Sequence, residues 1–298
     1  MKLGLQIPSF TWPGGPAAIA GKLAEVARTA DEAGFASIWV MDHFFQIAPG
    51  LGKASDPMFE GYGALSYLAA VTRKARLGTL VTGVHYRHPG FLIKQVTNLD
   101  VLSGGRAYFG VGAGWYERES KGLGFPFPPL ATRFEWLEET LQIAQQMWAK
   151  GQPETAQPFK GQHFQLVEPI NSPQPLSKPH PPIMIGGMGE KKTLRMVAQY
   201  ADACNLFARA GEDELRHKLD VLAGHCQALG RPYEEIERTC LATVHLAPGK
   251  MSADDIIAYC QRLAGVGIQQ AIFNMPNVHE IEPLEQFGQQ IIPAVAGF

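Results

Sequence analysis

Short apolar runs separated by stretches of helical period recur along the whole chain, and this alternation is the feature that most restricts its fold. Runs that suit buried strands stand at residues 2–7, 36–40, 76–81, 106–111, 182–185, 203–207, 238–245 and 270–274, eight in all. A strand joined to a parallel neighbour needs a crossover of a dozen or more residues, so strands alternating with helices specify βα units rather than hairpins. The stretches between them are amphipathic. Ile19, Leu23, Val26, Ala27 and Ala30 share one helical face, with Lys22, Glu25, Arg28 and Glu32 on the other. The same steps of three and four recur at Phe134, Leu137, Leu141, Ala144 and Trp148, at Leu215, Leu219, Leu222, Cys226 and Leu229, and at Ile281, Leu284, Phe287 and Ile291. Glycines follow several of these stretches, in "EAGFAS", "LSGGRA" and "ALGRP", where a left-handed residue ends a helix before the next strand.

Eight strands and about as many helices in 298 residues predict an α/β chain folded as one (β/α)8 TIM barrel over residues 1–298. The rival, a doubly wound open sheet, announces itself with a glycine-rich turn after the first strand; here that turn reads "IPSFTWPGGP", without the GxGxxG spacing. Residues 150–181 break the rhythm. Their prolines forbid a helix, and "PFKGQHFQLVEPI" alternates as a small hairpin does, so the segment is read as an insertion between helix 4 and strand 5.

Composition narrows the partners. The net charge is −2 and no long basic run occurs, which points away from nucleic acid and anionic membrane and toward a small molecule or a second copy of the chain. Cys204, Cys226, Cys240 and Cys260 are too widely spaced for CxxC chemistry and are expected to be reduced core residues. The start "MKLGLQIPSF" is strand-like and no run of eighteen apolar residues exists, so a cytoplasmic location is expected.

Barrels of this kind carry their chemistry at the C-terminal ends of the strands. That rule selects Gln6, Asp42 and His43, residues 82–87, residues 112–119, residues 186–189 and Asn205. "IWVMDHFF" is the most pointed case, because a core strand runs straight into two ionisable residues. His85 and His88 lack a third metal ligand at a recognisable spacing and read as polar loop residues ahead of a helix at Pro89; no metal site is expected. "GVGAGWYERE" is a glycine-rich strand exit that suits close approach by a planar ligand or by a neighbouring strand. "IGGMGEKKTLR" places glycines before a helix expected to begin near Gly189, where free backbone N–H groups bind phosphate or another anion, and Lys191, Lys192 and Arg195 add positive charge. No GxSxG, HExxH, P-loop or EF-hand pattern is present.

Together "MDHF", "LGTLVTGVHYRHP", "LDVLSGGRAYFGVGAGWYERE" and "PIMIGGMGEKKTLRMVAQYADACNLF", in this order at successive strand ends, resemble the bacterial-luciferase-like monooxygenase superfamily, and within it the branch of oxidoreductases that use the deazaflavin coenzyme F420. The resemblance implies a (β/α)8 barrel with an insertion, a homodimer, and a cofactor site assembled from these motifs. In it His43 lies beside the reactive face of the ring as the acid/base, and Asp42 orients the loop or bonds the cofactor's polar edge. Leu80 and Val81, after Thr79, match a non-prolyl cis peptide that bulges against the back of the ring. Gly112, Ala113, Gly114 and Trp115 match the exit that approaches the ring and its ribityl chain, and Gly186, Gly187, Met188 and Gly189 match the loop that holds the phosphate. One position departs: glucose-6-phosphate dehydrogenases of this class carry a catalytic glutamate where this chain has Trp115, leaving Glu117 and Glu119 as candidate replacement acids. Two other readings stay open, an FMN-dependent monooxygenase that uses reduced flavin and O2, and a barrel that binds flavin without catalysis.

Overall fold

The computed structural model describes residues 1–298. Its strands are β1 (Lys2–Ile7), β2 (Ser37–Val40), β3 (Arg76–Thr79), β4 (Thr82–Gly83), β5 (Ala107–Gly112), β6 (Phe159–Lys160), β7 (Gln165–Leu166), β8 (Ile183–Gly186), β9 (Ala203–Phe207), β10 (Glu237–Thr243) and β11 (Gln270–Asn274). Eight of them pair in parallel in the order β3-β2-β1-β11-β10-β9-β8-β5, and pairing of β3 with β5 closes the barrel. The helices are α1 (Pro16–Ala33), α2 (Gly61–Val71), α3 (Pro89–Ser103), α4 (Glu117–Leu123), α5 (Leu130–Met147), α6 (Thr193–Tyr200), α7 (Glu212–Leu229), α8 (Ala253–Gly265), α9 (Ile281–Gln286) and α10 (Ile292–Val295). Gly34, Gly104 and Gly230 close α1, α3 and α7 in the left-handed conformation that their positions suggested.

Most of the apolar core lies between the strands and the helices that surround them. A second cluster fills the barrel interior, where Trp39, Tyr108, Met184, Ala203 and Ile272 meet. Its polar edges are satisfied: Trp39 Nε1 donates to Ser37 Oγ at 2.7 Å, and Tyr108 Oη donates to Glu237 at 3.0 Å. This plug is the floor beneath the open end, so the room left for a ligand lies above the barrel rather than within it.

Five strands differ from their expected bounds, four of them by one or two residues at an end, and two differences bear on the site. Strand three, expected over 76–81, stops at Thr79: Leu80 N–H makes the last bond to β2, at Val40 O (2.9 Å), and pairing with β5 resumes only where Thr82 meets Val111. The helix expected near Gly189 begins at Thr193, and residues 190–192 form a turn. Within the insertion, β6 and β7 pair antiparallel, and the buried carboxylate of Glu139 on α5 accepts the N–H groups of Gln162, His163 and Phe164. All four cysteines are unpaired and buried; burial pushes the thiols of Cys204, Cys240 and Cys260 up to about 12. No helix is long and apolar enough to cross a membrane, and no group of three or more His, Cys, Asp or Glu stands close enough to hold a metal ion.

Candidate active site

Strand β2 ends at Val40 and delivers two side chains to the rim, where each acquires a partner from a different strand exit. Asp42 is buried, and Arg87, from the loop after β4, donates to both of its carboxylate oxygens at 2.6 and 2.8 Å. Arg87 also pairs with Glu60, the residue that caps α2 by accepting Gly63 N–H at 2.6 Å, and its guanidinium lies 4.9 Å from the centre of the Tyr62 ring. Arg87 therefore ties the exit of β2, the start of α2 and the exit of β4 into one buried ion-pair cluster. Both carboxylate oxygens of Asp42 are engaged by Arg87.

His43 is bound differently. Its Nδ1 lies 2.6 Å from Glu119 Oε1, and that carboxylate is fully buried while the imidazole keeps some exposure. Glu119 accepts three further donors: Phe44 N–H at 2.7 Å, Phe45 N–H at 3.0 Å and the Tyr86 hydroxyl. Burial acts to raise the Glu119 carboxyl. The bond and charge of His43, the Phe45 N–H and Tyr86 outweigh it, so the group stays below the usual carboxylate range. Tyr86 is driven up, first by burial and then by bonding to this carboxylate, so its proton stays on the ring oxygen. With Nδ1–H donating to an ionised Glu119, the His43 Nε2 lone pair is the part of the ring left without a protein partner.

Glu119 stands on α4, a short helix braced from beneath by the next residue. Ser120 Oγ lies 2.9 Å from His85 Nε2 and donates to Tyr116 O at 3.3 Å. His85 is buried, its Nδ1 has no partner, and a methyl group on Gly114 would occupy its space. Burial first, then the nearby Arg133 charge, lowers its pKa to about 4, so it is neutral near pH 7. His88 does cap a helix: its ring accepts Gly90 N–H at the start of α3.

The remaining sequence candidates divide into two groups. Thr79 Oγ1 bonds Thr82 Oγ1 (2.8 Å) and Gly110 O (3.1 Å), and the Leu80–Val81 peptide is cis. Side chains at positions 110, 112 and 186 would run into Thr79 O or Val81. Gly110, Gly112 and Gly186 are thus small to admit the bulge at 79–81, which brings the exits of β3, β5 and β8 together. The carbonyls of Ala113 and Gly114 accept from Arg133 of α5. Trp115 is 60% exposed, stacks on Tyr116 with ring centres 5.1 Å apart and meets His43 edge-on at 5.6 Å. Gly187, Met188 and Gly189 stand further round the rim. Gly187 N–H is taken by Asn205 O, whereas the N–H groups of residues 188–192 have no acceptor in the protein, leaving a run of open donors for an anion. Of the other strand-end candidates, Gln6 reaches Leu80 O at 3.5 Å and Asn205 bonds Thr239, both within the barrel.

Sequence reasoning took in Glu119 within the strand exit 112–119 and as a candidate replacement acid, and Tyr86 within 82–87, but gave neither a partner and did not select Tyr62 or Arg133. Glu117, the other candidate acid, is exposed and pairs with Lys121. The sole advance signal for Glu119 was a carboxylate near a helix start just beyond a strand exit.

Comparison with known proteins identifies the family and the fold. The sequence profile of a family described as luciferase-like monooxygenase matches residues 1–290. An F420-dependent glucose-6-phosphate dehydrogenase of Kineococcus radiotolerans is 29% identical over 221 residues, covering 74% of this chain and 62% of that enzyme. The oxygenase component of a flavin-dependent trigonelline monooxygenase of Acinetobacter baylyi is 26% identical over 223 residues, 73% of this chain and 56% of that protein. The chain thus spans less than two thirds of the length of either relative. Among solved structures, an F420-dependent secondary alcohol dehydrogenase in complex with an F420–acetone adduct superposes with a TM-score of 0.82 at 18% identity, covering 99% of this chain and 98% of that one.

Proposed function

The chain belongs to the luciferase-like monooxygenase family, and on that premise we propose that it is an oxidoreductase that transfers a hydride between the deazaflavin coenzyme F420 and a small organic substrate. The observation that carries this reading is the His43–Glu119 pair, a ring nitrogen 2.6 Å from a buried, ionised carboxylate at the open end of the barrel. When bound, the coenzyme supplies the hydride donor or acceptor, which is chemistry the side chains lack. The open N–H groups of residues 188–192 suit its phosphate, and the rim at 79–81, 112–115 and His43 suits its ring.

The residues of the chain handle the proton and the geometry. His43 Nε2 takes a proton from a substrate hydroxyl as it becomes a carbonyl, or returns one in the reverse direction. Glu119 fixes the tautomer that leaves Nε2 free and stabilises the imidazolium formed when Nε2 is protonated. Tyr86 and the Phe44 and Phe45 N–H groups keep Glu119 ionised. Asp42, through Arg87, holds the loop on which His43 stands and is a positioning residue. The likeness to a flavin-dependent monooxygenase supports a second reading, an FMN-dependent monooxygenase that uses reduced flavin and O2.

Anaerobic turnover separates the two. Reduced F420 and the protein, offered a panel of small ketones, aldehydes and activated alkenes, are expected to yield oxidised coenzyme without O2. His43→Ala is expected to retain coenzyme affinity and lose most of that turnover. Turnover that requires both FMN and O2 overturns the proposal.

A further inference from the structure

Trp115 is the most exposed aromatic residue of the chain, at 60%, yet its ring is held in place. One face of the indole stacks on Tyr116, and the Tyr116 hydroxyl is fixed by donating to Gln46 O at 3.1 Å and accepting Ala48 N–H at 3.3 Å. The indole meets the His43 ring nearly at right angles, at 5.6 Å, and no other ring or cation stacks on it, so its second face is open. Isolated exposed apolar side chains are ordinary on a protein surface; this one is distinguished by its place. A substrate oxygen that exchanges a proton with His43 Nε2 sits about 3 Å from that atom, which brings the rest of the substrate within reach of the indole. Phe44, next to His43, packs on Tyr86 and Phe125 at 5.3 and 5.0 Å, so rings also flank the imidazole on that side. The surroundings have no excess charge for an anion to use. Arg87 is bound to Asp42 and Glu60, Lys121 to Glu117, and Arg133 to the carbonyls of Pro128, Ala113 and Gly114. The exposed Lys53 and Arg118 have no such partner, but across residues 42–60, 85–87 and 115–133 carboxylates and cations are equal in number.

We propose that the open face of Trp115 is the wall on which the body of the substrate rests, and that the substrate is an uncharged aryl aldehyde or ketone, or the corresponding alcohol. This rests on the hydride-transfer reading and adds to it the part of the substrate remote from the reacting carbon. In the reductive direction the carbonyl carbon gains a hydride from the reduced coenzyme, the C=O π pair moves to the oxygen, and that oxygen takes the proton from His43 Nε2. The products are an alcohol, a neutral imidazole and a coenzyme oxidised by two electrons. An aryl ring stacked on the indole is favoured over a saturated ring of similar size by about fivefold. A carboxylate on that aryl ring loses water against the indole without gaining a counter-charge, at a cost of about tenfold or more in affinity.

The test compares kcat/KM for benzaldehyde, cyclohexanecarbaldehyde and 4-carboxybenzaldehyde with reduced F420 under anaerobic conditions, in wild type, Trp115→Phe and Trp115→Ala. The intrinsic reactivities of the aldehydes, and any general loss of activity in a variant, cancel when the ratio between two substrates is compared between proteins. The ratio of benzaldehyde to cyclohexanecarbaldehyde is expected to fall about fivefold in Trp115→Ala, through KM rather than kcat, and to be kept by Trp115→Phe. In the wild type, KM for 4-carboxybenzaldehyde is expected to exceed that for benzaldehyde by about tenfold or more. Apart from turnover, the indole N–H resonance of Trp115, assigned by its loss in Trp115→Phe, is expected to shift on titration with unreactive benzamide and to stay in place with benzoate. A substrate ratio that Trp115→Ala leaves intact, or an indole resonance that benzamide leaves in place, overturns the wall while leaving the cofactor reading standing. Equal efficiency with 4-carboxybenzaldehyde overturns the uncharged class. If benzaldehyde is not turned over, the substrate class falls, and fluorescence titration with F420 shows whether the cofactor reading falls with it: saturable binding keeps that reading, and no binding removes both.

Discussion

Replacing Glu119 by glutamine keeps the shape of the side chain and removes its charge, which isolates what the carboxylate does. In the wild type four donors converge on it: His43 Nδ1, Tyr86 and the N–H groups of Phe44 and Phe45. An amide has one acceptor oxygen, and the two backbone donors cannot rotate away, so the amide oxygen stays with Phe44 and Phe45. Its NH2 then faces His43 Nδ1, which must present a lone pair, and the ring proton moves to Nε2. Hydrogen bonds to charged groups are worth about 1.5–3 kcal/mol. A loss of about 2 kcal/mol of support for the imidazolium corresponds to roughly a 30-fold fall in turnover. Coenzyme affinity is expected to hold, since Glu119 lies beneath His43 and has no exposed surface. Nitrogen-15 shifts of the imidazole read the tautomer directly: Nδ1–H in the wild type, Nε2–H in Glu119→Gln. If the variant keeps the wild-type tautomer and wild-type turnover, Glu119 does not position His43 and the argument fails.

Glu119 also makes stability depend on pH. Its folded pKa is depressed, so its contribution is present above the ordinary glutamate value of 4.5 and is lost as pH falls below it; the gap in melting temperature between wild type and Glu119→Gln should narrow on acidification from pH 7 to pH 3.5. His85 acts in the same direction over a higher window: its folded pKa of about 4 lies below the ordinary histidine value of 6.5, so the unfolded chain takes up the proton first and stability is lost as pH falls from 6.5 toward 4. Acid titration of His85→Gln followed by circular dichroism should show a flatter slope in that window. Tyr86→Phe removes one donor to Glu119 and should cost about 1 kcal/mol in chemical denaturation, with a smaller loss of turnover than Glu119→Gln. Gly110→Ala places a methyl group against Thr79 O and should destabilise the protein by about 1–3 kcal/mol, seen as a lower midpoint in urea.

The barrel was legible because every strand buried on both faces is a near-continuous apolar run, and three of the eight, β1, β9 and β11, have the bounds that the runs suggested. Strand three was read too long because Leu80 and Val81 are as apolar as the strand they leave, and only their hydrogen bonds show that the ladder has ended. Helix α2 offered no clear stripe to read, being apolar on most sides. At the site, Asp42 and His43 were found by a positional rule that needs only the strand ends. The same rule took in Arg87 and Glu119 but not which side chains meet, because Arg87 is 45 residues from Asp42 and Glu119 is 76 from His43, and nothing local records the pairing. The glycines of β5 were ambiguous in sequence between ligand and neighbour. Thr79 and Val81 occupy the space beside Gly110 and Gly112, which assigns these two to the neighbouring strand.

The central claim is that the site takes a deazaflavin in preference to a flavin, and side-by-side equilibrium titration of the purified protein with coenzyme F420 and with FMN tests it most directly. Saturable binding of F420 is expected, with FMN at least tenfold weaker, a difference of about 1.4 kcal/mol. Equal or tighter binding of FMN, with oxygen consumed once it is reduced, would contradict it.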